Sequence, residues 1–311
     1  MDLNFTEESW VAVKVGCGIS ITGFILNILG LIVINRVTSM RWSTRWFIFS
    51  QSLIDAIGCF IYFLHIVLID PLGLKVYCKV FAFNWSISAV STVNLIFITI
   101  ERYFAIMKPF WFEINYTPKR TLLMIVSAWI IGFLLNPQVV VYVPIQMEYE
   151  VVCGITDLII FYPISGSIFL LMFISTLLTM AFVYGSIIRE LRLKRQVVLP
   201  ISTAAPSPPS IHVKTLKVCL AVSTAYILCF LPVLVFTLLF ASEIDLGTYI
   251  GMIGADFSIL NYIVNPVIYT LSLKQFRTEI LKCLSFSVFR ISPDQSINTI
   301  TADTNLKVID V

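Results

Sequence analysis

Residues 81–102 read FAFNWSISAVSTVNLIFITIER: twenty residues without a charge, then Glu101 and Arg102 side by side. Wound as an α-helix, twenty residues rise about 30 Å, the thickness of a bilayer's hydrocarbon core. An unpaired charge at the end of such a helix costs several kcal/mol in an apolar setting, so the adjacent Glu and Arg need an explanation. The stretch reads as a membrane span that ends in a charge pair.

The rest of the chain agrees. Of its 311 residues 58% are hydrophobic and 13% charged, with a mean hydropathy of +0.92. Soluble domains carry about 25% charged residues, so lipid is the solvent for most of this chain. The apolar runs exclude a large soluble domain, and a net charge of +3 gives no reason to expect nucleic acid as a partner. Seven runs are long enough to cross a bilayer, at about 10–35, 46–69, 78–101, 121–143, 158–188, 214–240 and 248–272. The fold class is therefore an all-α membrane protein, a bundle of seven transmembrane helices. With the N-terminus outside, 18 of the 21 Lys and Arg fall on the inner side, and only Lys14, Lys75 and Lys79 fall outside. The opening MDLNFTEESW is acidic and has no small-residue cleavage site, so the first run is expected to insert as a signal anchor.

Three divisions follow: a short extracellular N-terminus (1–10), the membrane domain with a short amphipathic eighth helix (11–285), and a polar, disordered cytoplasmic tail (286–311). PISTAAPSPPS, within 192–213, reads as a flexible inner linker. No internal repeat is visible, which counts against an inverted-repeat transporter.

Cys78 opens the third run and Cys153 lies in the outer loop between runs four and five. Both face the oxidising side, where a bridge would tie that loop over the bundle; two free thiols are the alternative. Cys17, Cys59, Cys219 and Cys229 fall inside runs and read as small packing residues. Cys283, in LKQFRTEILKCLSF, is a candidate palmitoylation site or a plain interfacial thiol. Of three glycosylation sequons, only the one at Asn4 lies outside; Asn84 is in a run and Asn115 is on the inner side.

Asp55, in SLIDAIG, is the one charge deep in the second run. An intramembrane carboxylate is a functional candidate by default. Asn27, Ser91, Asn261 and Asn265 are its candidate neighbours, with water or Na⁺ to complete the cluster; a protonated Asp that only joins helices is the alternative. Pro232 in CFLP and Pro266 in NPVIY each free a backbone carbonyl within a helix and mark hinges. Asn265, beside Pro266, is a candidate to satisfy such freed groups. Arg102, with Glu101 as counter-charge and Tyr184 and Tyr269 at similar depth, reads as a two-state switch, or else as an interfacial Arg reaching head groups.

Taken in order, Asn27, Asp55, Cys78 with Cys153, ERYFAIMKP at 101–109, Trp129, Pro137, Tyr184, CFLP at 229–232, NPVIY at 265–269 and Phe276 resemble the rhodopsin-like (class A) G-protein-coupled receptors over about residues 15–285. The resemblance implies a receptor of the plasma membrane, not an enzyme, with a heterotrimeric G protein and arrestin as partners. Arg102, flanked by Glu101 and Tyr103, would contact the G protein when the sixth span swings outward. Glu101 would restrain it in the off state, Tyr184 and Tyr269 would stabilise the open form, and Phe110 would dock on the G protein. Phe230 would repack beneath the ligand above the Pro232 hinge. Departures are Glu101 for the commoner Asp, Phe230 for Trp, Tyr262 for Ser, His212 where some members place an acid, and no Pro near Thr176. From Cys78 to Arg102 the chain is also one residue short of the usual spacing.

The third run has no acid above Glu101, Asn84 standing near the level where amine receptors of the family carry one, so a biogenic amine is not favoured. No Lys occurs in 247–273, so no retinal Schiff base is expected. His65, Asn84, Trp85, Phe230, Asp256 and Tyr262 are the candidate ligand-pocket residues, Asp256 for a cationic group. The final VIDV has the form of a PDZ ligand. A non-coupling receptor-like scaffold and an ion transporter using Asp55 and Asp256 remain as alternatives. A membrane enzyme is disfavoured: there is no HExxH, and His65 and His212 fall on opposite sides of the bilayer.

Overall fold

The computed structural model describes residues 7–37, 40–67, 74–136, 143–146, 151–154, 158–198, 211–241 and 247–284. In chain order these form α1 (Glu7–Arg36), α2 (Trp42–Val67), α3 (Leu74–Met107), α4 (Pro109–Asn115), α5 (Pro118–Leu135), β1 (Val143–Gln146), β2 (Val151–Gly154), α6 (Leu158–Val198), α7 (Ile211–Ala241), α8 (Gly247–Ser272) and α9 (Lys274–Leu284). The seven apolar runs fall on α1, α2, α3, α5, α6, α7 and α8. Among the described residues six helices pass a length-and-hydropathy test for spanning a membrane, α8 being the seventh run.

Helix ends depart from the apolar runs for identifiable reasons. α3 and α6 continue past the expected ends at 101 and 188, and in α6 the added turns carry Arg189, Glu190 and Arg192, good helix formers once the helix has left lipid. The linker expected over 192–213 is thereby narrowed, since α6 reaches Val198 and α7 begins at Ile211. α5 stops at Leu135, not near 143: Asn136 precedes Pro137 in the chain, and the residue before a proline is pushed out of helical geometry. Pro137, expected in the fourth span, lies outside the described residues. At its other end Thr117 Oγ1 accepts from the Arg120 N–H, with Pro118 at the first helical position. α1 begins at Glu7, within the stretch expected as the short N-terminus.

Two elements follow from no apolar run: the short helix α4, and an antiparallel β1–β2 hairpin that pairs Pro144 with Cys153. β1 packs against α3. Cys78, near the start of α3, is disulfide-bonded; the side chain of Cys153 lies outside the described residues. So do the side chains of His212 and Cys283, the sequon at Asn4 and the tail expected over 286–311.

α3 is the axis of the bundle, packing on α2, α5 and α6 and touching α7, while α1 packs on α2 and α8, and α8 closes on α7. In its most apolar stretch α3 is 72% buried and α5 only 17%. Leu123, Leu134, Leu178, Phe182 and Leu228 stand exposed, as side chains facing hydrocarbon should. α3 and α5 approach so closely that a Cβ on Gly132 would lie 2.6 Å from the Val90 backbone nitrogen. Small residues permit such contacts between membrane helices. α9 packs on α8 and α1, burying Phe276.

Candidate functional site

Three polar layers lie along the bundle. At the end of α3 that carries Arg102, Glu101 is 1% exposed and Arg102 8%. Their side chains form an ion pair. Neither is left to that pair alone. Glu101 Oε1 accepts from Ser43 Oγ at 2.8 Å and from Thr44 Oγ1 at 3.1 Å, both on the first turn of α2. Arg102 in turn donates to Thr44 Oγ1. The adjacent charges at the end of an uncharged helix are thus neutralised by each other and solvated by α2 hydroxyls. Removing one member of such a buried pair costs about 3–5 kcal/mol. Tyr116, just beyond α4, sits nearby: burial and then the Glu101 charge push its phenol up.

The Tyr184 hydroxyl accepts from Ser223 Oγ of α7 at 3.1 Å and lies 3.4 Å from Thr99 Oγ1 of α3. The Tyr269 ring packs edge-on against Phe276 of α9. Tyr103 is half-buried and lines an apolar groove of about 450 Å³ between α3 and α6. Phe110, on α4, is 85% exposed.

The middle layer centres on Asp55, which is fully buried. Its Oδ1 accepts from Gln51 Nε2 at 2.9 Å and Ser91 Oγ at 3.0 Å, and its Oδ2 from Asn265 Nδ2 at 2.7 Å. Gln51 also donates to Ser91 Oγ at 2.6 Å and accepts from Asn94 Nδ2 at 2.8 Å. Ser91 and Asn265 thus join Asp55 as the sequence suggests; Asn27 and Asn261 are buried but make no hydrogen bond to it. Asn27 Nδ2 instead donates to the Tyr262 carbonyl at 2.8 Å. That carbonyl lies four residues before Pro266, which has no N–H to offer it. The group freed by the proline is therefore satisfied from α1 by Asn27, not by Asn265, whose amide is committed to Asp55.

The third layer lies toward the opposite end. Asp256 of α8 is 7% exposed, and its Oδ1 accepts from Tyr62 Oη at 2.7 Å. Gly16 of α1 leaves room for this carboxylate: a Cβ there would lie 2.6 Å from Asp256 Oδ1. From Tyr62 a row of ring contacts runs through His65, Phe81 and Trp85 to Phe169 of α6, and on to Phe230 and Tyr226 of α7. Asn84 is buried beside Trp85 in sequence, and its Oδ1 has no hydrogen-bond partner among the described residues. Five of the six expected pocket residues thus sit on or next to this layer. Tyr262 does not: it is fully enclosed, its ring lying over Gly58 in an apolar cluster with Ile54, Cys59 and Ile259.

Sequence reasoning missed Ser43, Thr44, Gln51, Asn94 and Tyr62. Gln51 and Tyr62 stand four residues before and seven after Asp55, spacings that share one helix face. Nothing of that kind marks Ser43 and Thr44, whose partners lie on another helix.

Comparison with known proteins settles the family. The family described as 7 transmembrane receptor (rhodopsin family) matches residues 26–269. The chain belongs to this family. Among its relatives the receptor is 24% identical to the growth hormone secretagogue receptor type 1 of Sus scrofa, over 86% of this chain and 79% of that one. It is 23% identical to the Homo sapiens form over the same shares. It is also 32% identical to the muscarinic acetylcholine receptor M2 of Gallus gallus, over 42% of this chain and 29% of that one. The family is one of receptors rather than enzymes, spans the membrane several times, and acts on G proteins in response to ligands.

Proposed function

We propose that this receptor lies in the plasma membrane with its N-terminus outside, binds an extracellular ligand, and activates a heterotrimeric G protein when α7 swings outward from α3. The observation that carries the reading is the buried Glu101–Arg102 pair clamped by Ser43 and Thr44. A charge pair held by neighbours at the mouth of a bundle is one half of a two-state device. Releasing Arg102 exposes a cationic side chain there, and a ligand favours that state only by binding it better. Tyr184 and Tyr269 are the groups expected to receive Arg102 in the open form, Asn265, Pro266 and Pro232 supply the give in α8 and α7, and Tyr103 and Phe110 complete the coupling face.

The ligand site in this reading is the third layer. Asp256 offers one oxygen to Tyr62 and leaves the other for a cationic or donor group. Asn84 offers an acceptor, and His65, Trp85 and Phe230 form the aromatic wall. At Asp55 three donors already satisfy the carboxylate, so a Na⁺ there requires that at least one of them turn away. Arrestin, a PDZ domain at VIDV, glycosylation of Asn4, a lipid on Cys283 and Cys153 as the disulfide partner of Cys78 belong to the same proposal.

The test is basal nucleotide exchange on a panel of G proteins, in membranes carrying the receptor or Arg102→Ala at matched levels. Exchange that Arg102→Ala abolishes establishes coupling and names the G protein. Exchange from neither leaves a non-coupling scaffold, and ion flux in liposomes then tests the transporter.

A further inference from the structure

Arg41, in the connection between α1 and α2, makes three contacts with α4 and none of them is anticipated by the sequence. Its guanidinium lies over the Phe112 ring, 4.1 Å from the centroid. It pairs with the Glu113 carboxylate. Its Nη2 also lies 3.5 Å from the Phe112 carbonyl oxygen. That carbonyl accepts the Tyr116 N–H as well, at 3.0 Å.

The helix so held cannot hold itself. α4 has seven residues, and Lys108 gives it no side-chain cap. Isolated helices much shorter than about 12 residues are not stable in water, so α4 depends on contacts from outside. Phe112 supplies one, being 3% exposed with its ring centroid 4.5 Å from that of Tyr116, the two planes tilted by 45°. Trp111, its ring 4.6 Å from Phe104, and Arg120, which donates to Asn115 Oδ1 at 2.7 Å, hold the ends of α4, and Arg41 grips its middle. Successive residues turn 100° about a helix axis, so Phe112 faces away from Phe110, whereas Ile114 lies on the Phe110 side. Phe110 is 85% exposed and Ile114 76%. Two large apolar side chains on one exposed face, eight and twelve residues beyond Arg102, form a surface that a partner must cover.

We propose that Arg41 is a positioning residue: by gripping Phe112 and Glu113 it sets the rotation of α4 that presents Phe110 and Ile114 as one apolar ridge to the G protein. The inference rests on the coupling reading above. Each contact is weak singly, an exposed ion pair and a cation–π contact being small effects. Their joint action is to remove the rotational freedom of a short helix, which a G protein would otherwise have to freeze on binding.

The test varies G-protein concentration in the exchange assay for the receptor, Arg41→Ala, Arg41→Lys, and the swap Arg41→Glu with Glu113→Arg. Amide hydrogen exchange over 109–116 is followed in the same preparations. Expected is a roughly tenfold higher half-saturating concentration for Arg41→Ala with the maximal rate kept, the combined size of an ion pair and a cation–π contact. The swap recovers part of it by restoring the pair, Arg41→Lys falls between, and the α4 amides exchange faster in Arg41→Ala. Half-saturation within twofold of the parent in Arg41→Ala, or a loss confined to the maximal rate, overturns the proposal. If no variant, parent included, drives exchange on any G protein, the coupling reading has failed. The α4 amides then decide the role of Arg41 alone: faster exchange in Arg41→Ala retains the grip, and unchanged exchange removes it.

Discussion

Replacing Thr44 by Val tests the switch without touching either charge. The two side chains have nearly the same shape, so the change removes one hydroxyl. In the closed arrangement that hydroxyl donates to Glu101 Oε1 and accepts from Arg102. A hydrogen bond to a charged group contributes about 1.5–3 kcal/mol, and this hydroxyl makes two. Ser43 still reaches Glu101 at 2.8 Å, so the carboxylate keeps a partner and the lower figure applies. If Arg102 leaves Thr44 on opening, as the coupling reading requires, the open state loses nothing. A differential of about 1.4 kcal/mol is tenfold in the equilibrium. A receptor about 1% open without ligand becomes about 10% open, and basal nucleotide exchange rises by nearly that factor. The assay is basal exchange per receptor at matched surface level, with Thr44→Val/Arg102→Ala as the control that returns it to background. Basal exchange equal to or below the parent would refute the argument, because it would mean that Thr44 holds Arg102 equally in both states.

Asn27→Ala leaves the Tyr262 carbonyl unsatisfied and lowers thermal stability by about 1–3 kcal/mol; Pro266→Ala, which restores an N–H to that carbonyl, shrinks the penalty, and a thermal-inactivation double-mutant cycle reads the coupling. Gly132→Ala sets a Cβ 2.6 Å from backbone that cannot step aside, costing about 1–3 kcal/mol. Gly18→Ala, with nothing within 4 Å, is the control that leaves the melting point unchanged or slightly raised. Asp256→Asn keeps an acceptor for Tyr62 but removes the charge; once a cationic ligand is in hand its affinity falls at least tenfold, while a neutral ligand is scarcely affected.

The bundle was legible because lipid imposes a length and a polarity on every span, and both are printed in the sequence. Helix ends were less legible, since α6 leaves the hydrocarbon and continues as helix through Arg189, Glu190 and Arg192. Apolar runs measure the membrane, not the hydrogen-bond ladder. Within the site, residues that hold charge stood out: Asp55, Glu101, Arg102 and Asp256 are each anomalous in an apolar run. Their neutral partners did not, because a Ser, Thr or Gln in a span has a bland alternative in bonding its own backbone, as Ser20 does to Gly16.

The same distinction applies to Asn27. The sequence shows a buried amide near a buried carboxylate, and the pairing suggests itself. It shows that Pro266 leaves a carbonyl open four residues earlier, but not that this carbonyl, on a different helix, faces α1. A carbonyl without its N–H is a need created by a missing atom, and only the packing of α1 on α8 reveals which side chain meets it. Asn265 is thereby released for Asp55, so one proline sets the partners of two asparagines. The hinge of α8 and the carboxylate of α2 are therefore linked through neighbouring residues, Pro266 and the Asn265 that donates to Asp55.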